Sequence, residues 1–258
     1  MLQPILKIDL STREITKYIV PSEWEKDYLG GASLAARLLY STLTPDLEPL
    51  SADAPLLFLN GPLSGTLGPT VGRFVVCGRS PATGLWAESN CGGFWGPELR
   101  FAGWDGVWIT GRSEGPVYLW VNGDQVEVRD AAHLWGQDTY ATEDEVLKRI
   151  GQKRTGASAE RAAALVIGPA GENLVRFSVI ENDYWRSAGR TGTGAVMGSK
   201  KIKALCFHGG RKRLLAFPEE AQAFSREILE RGKSDPGVAN YRKMGTPMMV
   251  AILNKAQA

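Results

Sequence analysis

Short apolar segments separated by glycine-rich turns recur along most of the chain, and this alternation restricts the possible folds more than any other feature. Segments such as PLLFLN (55–60), GRFVVCGR (72–79) and VYLWV (117–121) have the length and composition of β-strands. The turn NGD at 122–124 predicts a hairpin into the alternating segment QVEVRD at 125–130. The chain has 30 glycines and eight tryptophans, which favours bulky rings packed around tight corners. We therefore predict a strand-rich body.

Helical periodicity is shorter and less frequent before residue 209. One short helix is predicted at 22–29, capped by its first serine, and another at 30–43. The second would place Leu34, Leu38 and Leu39 on one face. This mixture of strands and short helices predicts the α+β fold class. The other expected elements are a helix at 141–151 and strands at 5–10, 13–20, 106–112, 161–168 and 175–180.

The composition changes after residue 209. The segment GGRKRLLAF (209–217) is typical of a linker, and FPEEAQAFSREILERG (217–232) has the apolar spacing of an amphipathic helix. A second helical pattern covers much of 238–258 and continues to the last residue. We therefore expect residues 1–209 to form a β-rich domain. Residues 210–258 would form a linker and the first helices of a truncated second domain.

Two parts of the chain resemble each other. Residues 56–76 and 163–180 each contain a strand, a Gly-Pro dipeptide, a glycine turn and a segment with Arg-Phe that is predicted to be a strand. An asparagine turn is expected after both, at 88–93 and 181–190. One interpretation is two related halves that present their glycine-rich turns on the same side. The other is that Gly-Pro turns recur by chance, and the residues alone leave both open.

Charge, cysteine spacing and hydropathy exclude several classes of function. Lys and Arg total 30 against 28 Asp and Glu, so bulk charge does not favour nucleic-acid binding. Cys77, Cys91 and Cys206 form no C-x-x-C pair, and His133 and His208 have no metal-ligand spacing. The sequence shows neither a signal-peptide pattern nor an apolar run of membrane-spanning length. We expect a cytoplasmic protein with reduced thiols, no membrane contact and no nucleic-acid partner.

The segment WRSAGRTGTGAVMGSKKIK (185–203) combines four glycines with five cationic side chains. It matches neither the dinucleotide fingerprint G-x-G-x-x-G nor the phosphate loop G-x-x-x-x-G-K-S/T. Arg186 and Arg190 flank a turn of small residues, and TGAVMGSK is expected to begin a helix directly after it. Guanidinium groups beside free backbone N–H groups make a phosphate site. The residues therefore predict an anion site, with a solvated basic turn before an ordinary helix as the alternative.

A second candidate segment runs from residue 70 to residue 93. Arg73 begins a predicted strand, and Asn90 and Gly92 lie in a predicted turn before another helix, which would supply further free N–H groups. Each residue also has an ordinary explanation: a surface strand position for Arg73 and a turn former for Asn90. Cys91 is a candidate nucleophile near a helix start, but no histidine lies near it in sequence to activate the thiol. No pair of carboxylates has a spacing that favours acid–base catalysis.

Several stretches together carry a resemblance to a known family. They include NGPLSGT, SNCGGFWGPELRFAGWDGVWITGRS, GPAGENLVRFSVIENDYWRSAGRTGTGAVMGSKKIKAL and YRKMGTPMMVAILN. The chain resembles the aldehyde:ferredoxin oxidoreductases, tungsten enzymes that carry a bis-pyranopterin cofactor. The resemblance implies an N-terminal domain of two related β-sheets with short helices, on which the cofactor rests under two helical domains. It also implies that Mg2+ bridges the two pterin phosphates, so the anion expected at 185–203 is a pterin phosphate.

Residue by residue, the resemblance places pterin contacts on both candidate segments. Arg73 matches the family's pterin-contacting arginine, and Ser187 stands where the family usually has alanine, a change that a backbone contact would tolerate. The main-chain carbonyls of Asn90 and Ser187 match positions that contact the bridging Mg2+. The resemblance assigns no catalytic side chain to this chain. The cofactor-binding positions that it implies are Arg73, Asn90, Gly92, Arg186, Ser187, Gly189 and Arg190.

The resemblance further implies parts that this sequence does not contain. The family's cysteine motif for a 4Fe–4S cluster, its proposed acid–base residues and its other pterin contacts have no counterpart here. The expected function is that of the N-terminal part of a tungsten, or molybdenum, enzyme that oxidises aldehydes to carboxylic acids. Its partners would be the remaining C-terminal domains or a partner subunit, together with ferredoxin. The isolated chain would have little or no activity.

Two other interpretations stay open at this level. One is a noncatalytic pyranopterin-binding module, or the small subunit of a split oxidoreductase. The other is a relative that acts on different substrates, such as an aromatic-ring reductase. The continuation of the reading frame beyond residue 258 separates a fragment from a native short subunit.

Overall fold

A computed structural model describes residues 2–149 and 162–257 of the chain. The chain divides into two compact units, and the smaller one combines Thr66–Val71 with the residues from Leu214 onward. The larger unit comprises the residues up to Gly65 together with Gly72–Arg213. The expected domain boundary after residue 209 stays a prediction about the organisation of the whole protein.

The first half of the larger unit forms a six-stranded sheet. Its order is β2-β1-β6-β3-β4-β5, with β1 parallel to β6 and every other neighbouring pair antiparallel. The hairpin predicted at the start of the chain is confirmed as β1 and β2. The strands are β1 (Ile5–Asp9), β2 (Glu14–Tyr18), β3 (Leu56–Asn60), β4 (Phe74–Arg79), β5 (Trp86–Cys91) and β6 (Gly106–Thr110).

The second half forms another six-stranded sheet with the order β11-β10-β9-β12-β7-β8. Here β7 and β12 are parallel, and the other pairs are antiparallel. The predicted NGD turn connects β7 to β8, and Gly123 adopts the left-handed backbone that such a turn requires (φ 60°). The strands are β7 (Val117–Asn122), β8 (Gln125–Asp130), β9 (Ala162–Val166), β10 (Ile180–Asn182), β11 (Arg186–Ala188) and β12 (Ile202–His208).

The two sheets share one topology. Each begins with an edge hairpin whose first strand pairs in parallel with the last strand of that half, and each ends in an antiparallel run of three strands. Helical segments follow each hairpin, two α-helices after the first and a 3-10 turn with one α-helix after the second, and a seven-residue helix precedes each last strand. This correspondence favours two related halves over chance recurrence of Gly-Pro turns. The helices of the larger unit are α1 (Ser22–Tyr28), α2 (Gly31–Tyr40), α3 (Trp95–Phe101), α4 (Thr139–Arg149), α5 (Pro169–Glu172) and α6 (Thr193–Ser199), with a 3-10 turn at Ala132–Leu134.

The main core lies between the two sheets and continues under α3. Trp95 of α3 is fully buried, and its ring centroid lies 4.8 Å from that of Phe74 and 5.3 Å from that of Phe207. Its indole N–H donates to the carbonyl of Leu205 at 2.9 Å, so α3 is attached to both sheets. Two smaller cores cover the outer faces of the sheets, one under α1 and α2 and the other under α4. The predicted leucine face of α2 is confirmed in the first of these, because Leu34, Leu38 and Leu39 are buried there.

Several predicted elements differ in detail. Ser22 is the first helical residue of α1, the cap position is Pro21, and no side chain caps this helix. The strand predicted at 175–180 is wrong except at its end, because only Ile180 belongs to β10 and the residues before it form turns. Strand β5 occupies most of a segment that sequence analysis assigns to a turn. The parts of two predicted elements at 150–151 and 161 lie outside the described residues.

The smaller unit contains three helices. The predicted helix after residue 217 is confirmed as α7 (Pro218–Ser234). The single helical pattern expected over 238–258 is instead two helices, α8 (Pro236–Met244) and α9 (Met248–Ala256), because Gly245 and Pro247 interrupt it. The Asp235 carboxylate caps α8 by accepting from the Val238 N–H at 2.8 Å. Among the described residues, no helix is both long and apolar enough to span a bilayer.

Candidate anion-binding site

The two segments singled out by sequence analysis lie side by side. Both contain the end of an edge strand, β5 in the first sheet and β11 in the second, together with the residues directly after it. The Ser89 hydroxyl of β5 donates to the carbonyl of Gly189 at 2.8 Å, and the Asn182 side-chain amide donates to the carbonyl of Gly92 at 3.1 Å. We call the segment 90–93 the first turn and the segment 187–190 the second turn. Because the halves share one topology, equivalent ends of the two sheets meet here.

Arg73 lies beside the first turn. It directly precedes Phe74, which pairs with Cys91 across the β4–β5 ladder. A Cβ atom at Gly72 would lie 3.2 Å from the carbonyl oxygen of Gly93, which shows how closely the two backbones approach. The structure therefore brings Arg73 together with the other predicted site residues.

The two turns carry backbone N–H groups that are free to bind a ligand. Within the described ranges, the N–H groups of Gly92, Gly93, Gly189 and Arg190 donate to no protein acceptor. Each of these residues is at least partly exposed to solvent. Backbone N–H groups must find a partner in water, protein or ligand. N–H groups gathered on adjacent turns form a concavity that favours anions.

Three arginines lie on or beside the two turns. Arg73, Arg186 and Arg190 are exposed, and none has a hydrogen-bond or ion-pair partner in the part of the chain that the structure describes. Arg186 lies close to the first turn, since its Cδ atom is 3.9 Å from the position of a Cβ at Gly92. A guanidinium presents several N–H donors in a fixed plane that matches phosphate oxygens. The electrostatics of the site therefore favour an oxyanion.

The lysines of the 185–203 segment do not belong to this site. Lys200 is fully buried and donates to the carbonyls of Ala52 and Gly111 at 2.9 and 3.1 Å. Lys203 is also fully buried and donates to the carbonyl of Gln137 at 2.7 Å and to Glu172. Lys201 lies over the ring of Trp135, with its Nζ atom 5.2 Å from the ring centroid. Of the five cations counted in the sequence, the two arginines therefore remain as exposed donors at or beside the second turn.

The glycines of the two turns differ in what they permit. A Cβ at Gly93 would lie 2.3 Å from Asn182 Oδ1 and 2.4 Å from Asp183 Oδ2, and its φ is 98°, so only glycine fits. Gly92 and Gly189 have ordinary φ values, and no protein atom lies closer than 3.7 Å to a Cβ built on either. Internal packing therefore does not require glycine at these two positions. Close approach of a ligand would require it, and a phosphate-bearing cofactor fits this arrangement.

Two predictions about local structure are corrected here. Asn90 is a strand residue paired with Val75 rather than a turn former, and its side-chain amide donates to Glu88 at 3.2 Å. The start of α3 offers fewer free N–H groups than expected, because the Phe94 N–H donates to the Asp183 carboxylate at 2.7 Å. Pro97 in the first turn of α3 has no N–H at all. The free donors are thus on the turns themselves.

Arg190 has an unusual backbone conformation. Its φ is 69°, in the left-handed region that non-glycine residues seldom adopt. Such a conformation costs about 1 kcal/mol or more and is found preferentially at functional sites. Arg190 lies in the segment between β11 and α6, and α6 is the helix predicted at TGAVMGSK. The cost is consistent with a position kept for its guanidinium group.

Cys91 is not a nucleophile in this arrangement. Its side chain is 1% exposed, and burial raises the pKa of the thiol to about 12. The Asn182 side-chain amide lies 3.1 Å from its sulfur. A thiol that stays protonated at neutral pH cannot attack a substrate efficiently.

Sequence analysis missed three residues that shape the site. The sequence pattern places Asn182 and Asp183 in a turn without a further role, yet their side chains bond to the first turn and to Phe94. Glu143 of α4 is 2% exposed and accepts from the N–H groups of Asp183 and Tyr184. In the sequence, Glu143 is one of several acidic residues on a polar helix. Periodicity alone does not distinguish it from the acids beside it, so its burial could not be predicted.

Comparison with known proteins gives a consistent result. A family model described as the N-terminal domain of aldehyde ferredoxin oxidoreductase matches residues 5–209. The chain is 41% identical over 251 residues to the tungsten-containing aldehyde ferredoxin oxidoreductase of Thermococcus kodakarensis, a match that covers 97% of this chain and 40% of that protein. It is 34% identical over 214 residues to the WOR-like subunit of an aliphatic sulfonate oxidoreductase from Pyrococcus furiosus, covering 80% of this chain and 34% of that one.

A solved structure is also similar. The active-site complex of a benzoyl coenzyme A reductase bound to 1,5-dienoyl-CoA superposes with a TM-score of 0.84 at 37% sequence identity. The match covers 90% of this chain and 34% of that chain. The present chain thus spans about 40% of the length of the curated oxidoreductases that it matches over nearly all of its residues.

Proposed function

We propose that this chain, which belongs to the aldehyde ferredoxin oxidoreductase family, forms the N-terminal cofactor-binding part of a tungsten-dependent oxidoreductase. In the whole protein the reaction would be oxidation of an aldehyde to a carboxylic acid, with the electrons passed to ferredoxin. Molybdenum is the alternative metal. The chain's own contribution is to bind and orient the cofactor, because hard redox chemistry belongs to the cofactor itself.

The observation that carries this proposal is the meeting of the two turns. Four unpaired N–H groups and three unpaired arginines, drawn from both halves of the fold, lie on or beside two adjacent turns. A single phosphate needs fewer donors than this. A cofactor with two pterin phosphates would use donors from both turns at once.

The residues that would hold the cofactor lie on or beside the two turns: Arg73, Asn90, Gly92, Arg186, Ser187, Gly189 and Arg190. When bound, the tungsten bis-pyranopterin would supply the two-electron redox chemistry. We further propose that the main-chain carbonyls of Asn90 and Ser187 would hold a Mg2+ ion. Arg73, Gly92, Arg186, Gly189 and Arg190 would contact the phosphates of the cofactor.

The other components belong to the rest of the protein. We propose that a 4Fe–4S cluster and the groups that move protons lie in the remaining C-terminal domains or in a partner subunit. Oxidised ferredoxin would accept electrons from that cluster, and we place the protein in the cytoplasm, where thiols stay reduced. This chain alone would bind cofactor weakly and would show little or no aldehyde oxidation.

The test is metal and pterin content of the full-length protein. Purified protein should contain stoichiometric tungsten, or molybdenum, together with pterin. Arg73→Ala and Arg190→Ala should each lower cofactor affinity by up to about 1.5–3 kcal/mol, the value of a hydrogen bond to a charged group. Both variants should therefore lose metal during gel filtration while retaining their secondary structure.

A matched control is available for Arg190. Arg13 is also an exposed arginine with a left-handed backbone (φ 61°), but it lies in the β1–β2 turn. Arg13→Ala should retain the wild-type metal content. The proposal would be overturned if both Arg73→Ala and Arg190→Ala retained the wild-type metal content. It would also be overturned if the wild type contained neither tungsten nor molybdenum.

A second candidate substrate class is favoured by the structural comparison. The solved structure that superposes on 90% of this chain is that of a benzoyl coenzyme A reductase. The same cofactor site would then serve ring reduction rather than aldehyde oxidation. Assay of the metal-loaded full-length protein with aldehydes and with aromatic coenzyme A thioesters separates the two, since only one class should be turned over.

A further inference from the structure

We propose that Asn182, Asp183 and Glu143 act as positioning residues that fix the first turn relative to the second. We call these three side chains the latch. None of them is among the donors assigned to the cofactor. The inference rests on the proposed function, because it concerns the geometry of the same anion site.

Asn182 connects the halves through its side-chain amide. The residue ends β10 in the second sheet and is fully buried. Its Nδ2 donates to the carbonyl of Gly92 and to the sulfur of Cys91, both at 3.1 Å. Its Oδ1 has no hydrogen-bond partner among the described residues and lies 2.3 Å from the position that a Cβ on Gly93 would take. A buried amide carbonyl without a partner is costly, and it is tolerated where position matters more than stability.

Asp183 holds the other side of the same turn. Its carboxylate accepts from the Phe94 N–H at 2.7 Å, directly after Gly93. Asn182 and Asp183 therefore bracket Gly93, which is why a Cβ at that position would meet both side chains. A charge-assisted hydrogen bond to a backbone N–H is stronger than a neutral one.

Glu143 holds the turn that carries the other two latch residues. Asp183 and Tyr184 both have left-handed backbones, with φ of 47° and 59°. The carboxylate of Glu143 accepts from their N–H groups at 2.9 and 3.2 Å, which stabilises this strained turn. Through these two hydrogen bonds, helix α4 sets the position of the 182–184 turn. The side chains of Asn182 and Asp183 in turn set the position of Gly92 and Gly93.

This arrangement has a consequence for ligand binding. The second turn follows β11, which forms a hairpin with β10, and Asn182 and Asp183 lie at the connection of that hairpin. A shift of these two side chains would change the distance between the free N–H group of Gly92 and that of Gly189. Binding of a ligand that spans both turns depends on that separation, because preorganised donors lose affinity when they move by about 1 Å.

The test uses the full-length protein and the variants Asn182→Asp and Glu143→Gln. Asn182→Asp keeps the shape of the side chain but replaces the donor to Gly92 with an acceptor. Glu143→Gln keeps an acceptor for one of the two N–H groups and loses the other. We expect both variants to release tungsten about tenfold faster than the wild type in the presence of a chelator, as expected for loss of one buried hydrogen bond.

A control separates positioning from general stability. Leu119→Ala creates a cavity in β7, four strands from β11, without touching the latch. It should lower the melting temperature of the apo protein at least as much as Glu143→Gln, yet release tungsten at the wild-type rate. Release as fast as in the latch variants would mean that stability alone governs retention, and would overturn the inference.

The remaining outcomes also decide the matter. Wild-type release rates in Glu143→Gln and in any Asn182→Asp protein that folds would overturn the latch while leaving the proposed function intact. A wild-type protein that contains neither tungsten nor molybdenum would overturn both. If Asn182→Asp does not fold, Glu143→Gln alone carries the decision.

Discussion

At the scale of single residues, Lys200 is an ionisable side chain in the interior of the fold. Its ammonium group is fully buried and is held by the carbonyls of Ala52 and Gly111. Burial lowers its pKa from 10.5 to about 8, with repulsion from Arg112 as the next cause. The group connects the end of β6 to the segment before β3, so it stabilises the fold rather than the anion site.

The shifted pKa of Lys200 predicts a pH dependence of stability. Between about pH 8 and 10.5 the folded chain has released this proton while the unfolded chain still binds it. Raising the pH across that window should therefore stabilise the wild type relative to Lys200→Met, by up to about 1.4 kcal/mol per pH unit. Urea unfolding of both proteins at pH 7.5 and 9.5 measures the effect. A free-energy difference that is independent of pH, or that falls, would contradict it.

Cys91 gives a second prediction at this scale. Because burial raises the pKa of its thiol to about 12, Cys91→Ala should leave the tungsten content and the turnover of the full-length protein within about twofold of the wild type. The native chain should also resist alkylation by iodoacetamide at pH 8. Loss of turnover with full metal content would restore Cys91 as a catalytic group.

At the scale of elements, α5 and α6 meet through glycine. A Cβ at Gly198 would lie 2.0 Å from the carbonyl oxygen of Gly171, and one at Gly194 would lie 2.5 Å from that of Val179. The helix that follows the second turn is therefore packed backbone to backbone against its neighbours. This close packing gives the second turn a rigid base.

Gly198→Ala should accordingly be destabilising. Alanine favours helix by up to about 1 kcal/mol over glycine, but the clash with backbone at Gly171 should cost more, for a net loss of about 1–3 kcal/mol. Gly61→Ala is the control, since a Cβ there meets nothing within 4 Å and its φ is not positive. Thermal unfolding of the two variants should separate them by several degrees. Equal melting temperatures would show that the α5–α6 contact can relax.

The elements that could be predicted from the sequence are those in which the buried positions are occupied by apolar residues. Strands β3, β4, β6 and β7 are apolar runs, and each lies within about two residues of its predicted position. Strand β5 was missed because its buried face consists of Ala87, Ser89 and Cys91, which hydropathy does not distinguish from a turn. The false strand at 175–179 has the opposite cause, since Phe177 is 72% exposed and its apolar character misleads.

The site residues could be predicted only in part, for a similar reason. Arginine and glycine on two separate segments signal an anion site in the sequence, but their proximity depends on pairing of edge strands that no local pattern specifies. The roles of Asn182, Asp183 and Glu143 depend on contacts between residues about 40 to 90 positions apart. Equally, the burial of Lys200 and Lys203 is decided by distant carbonyl groups rather than by neighbours in sequence.

At the scale of the whole molecule, the repeated topology explains why the site exists. Two equivalent sheets pack face to face with α3 between them, and the equivalent turns at their edges come together. A molecule with two phosphate groups would then meet one turn from each half. The proposed anion site would depend on both halves, because each half contributes one of the two turns.

A crystal structure of the metal-loaded full-length protein tests this account most directly. It should place cofactor phosphate oxygens within about 3 Å of the N–H groups of the first and second turns and of the guanidinium groups of Arg73 and Arg190. A cofactor bound elsewhere, with both turns contacting only water, would contradict the account.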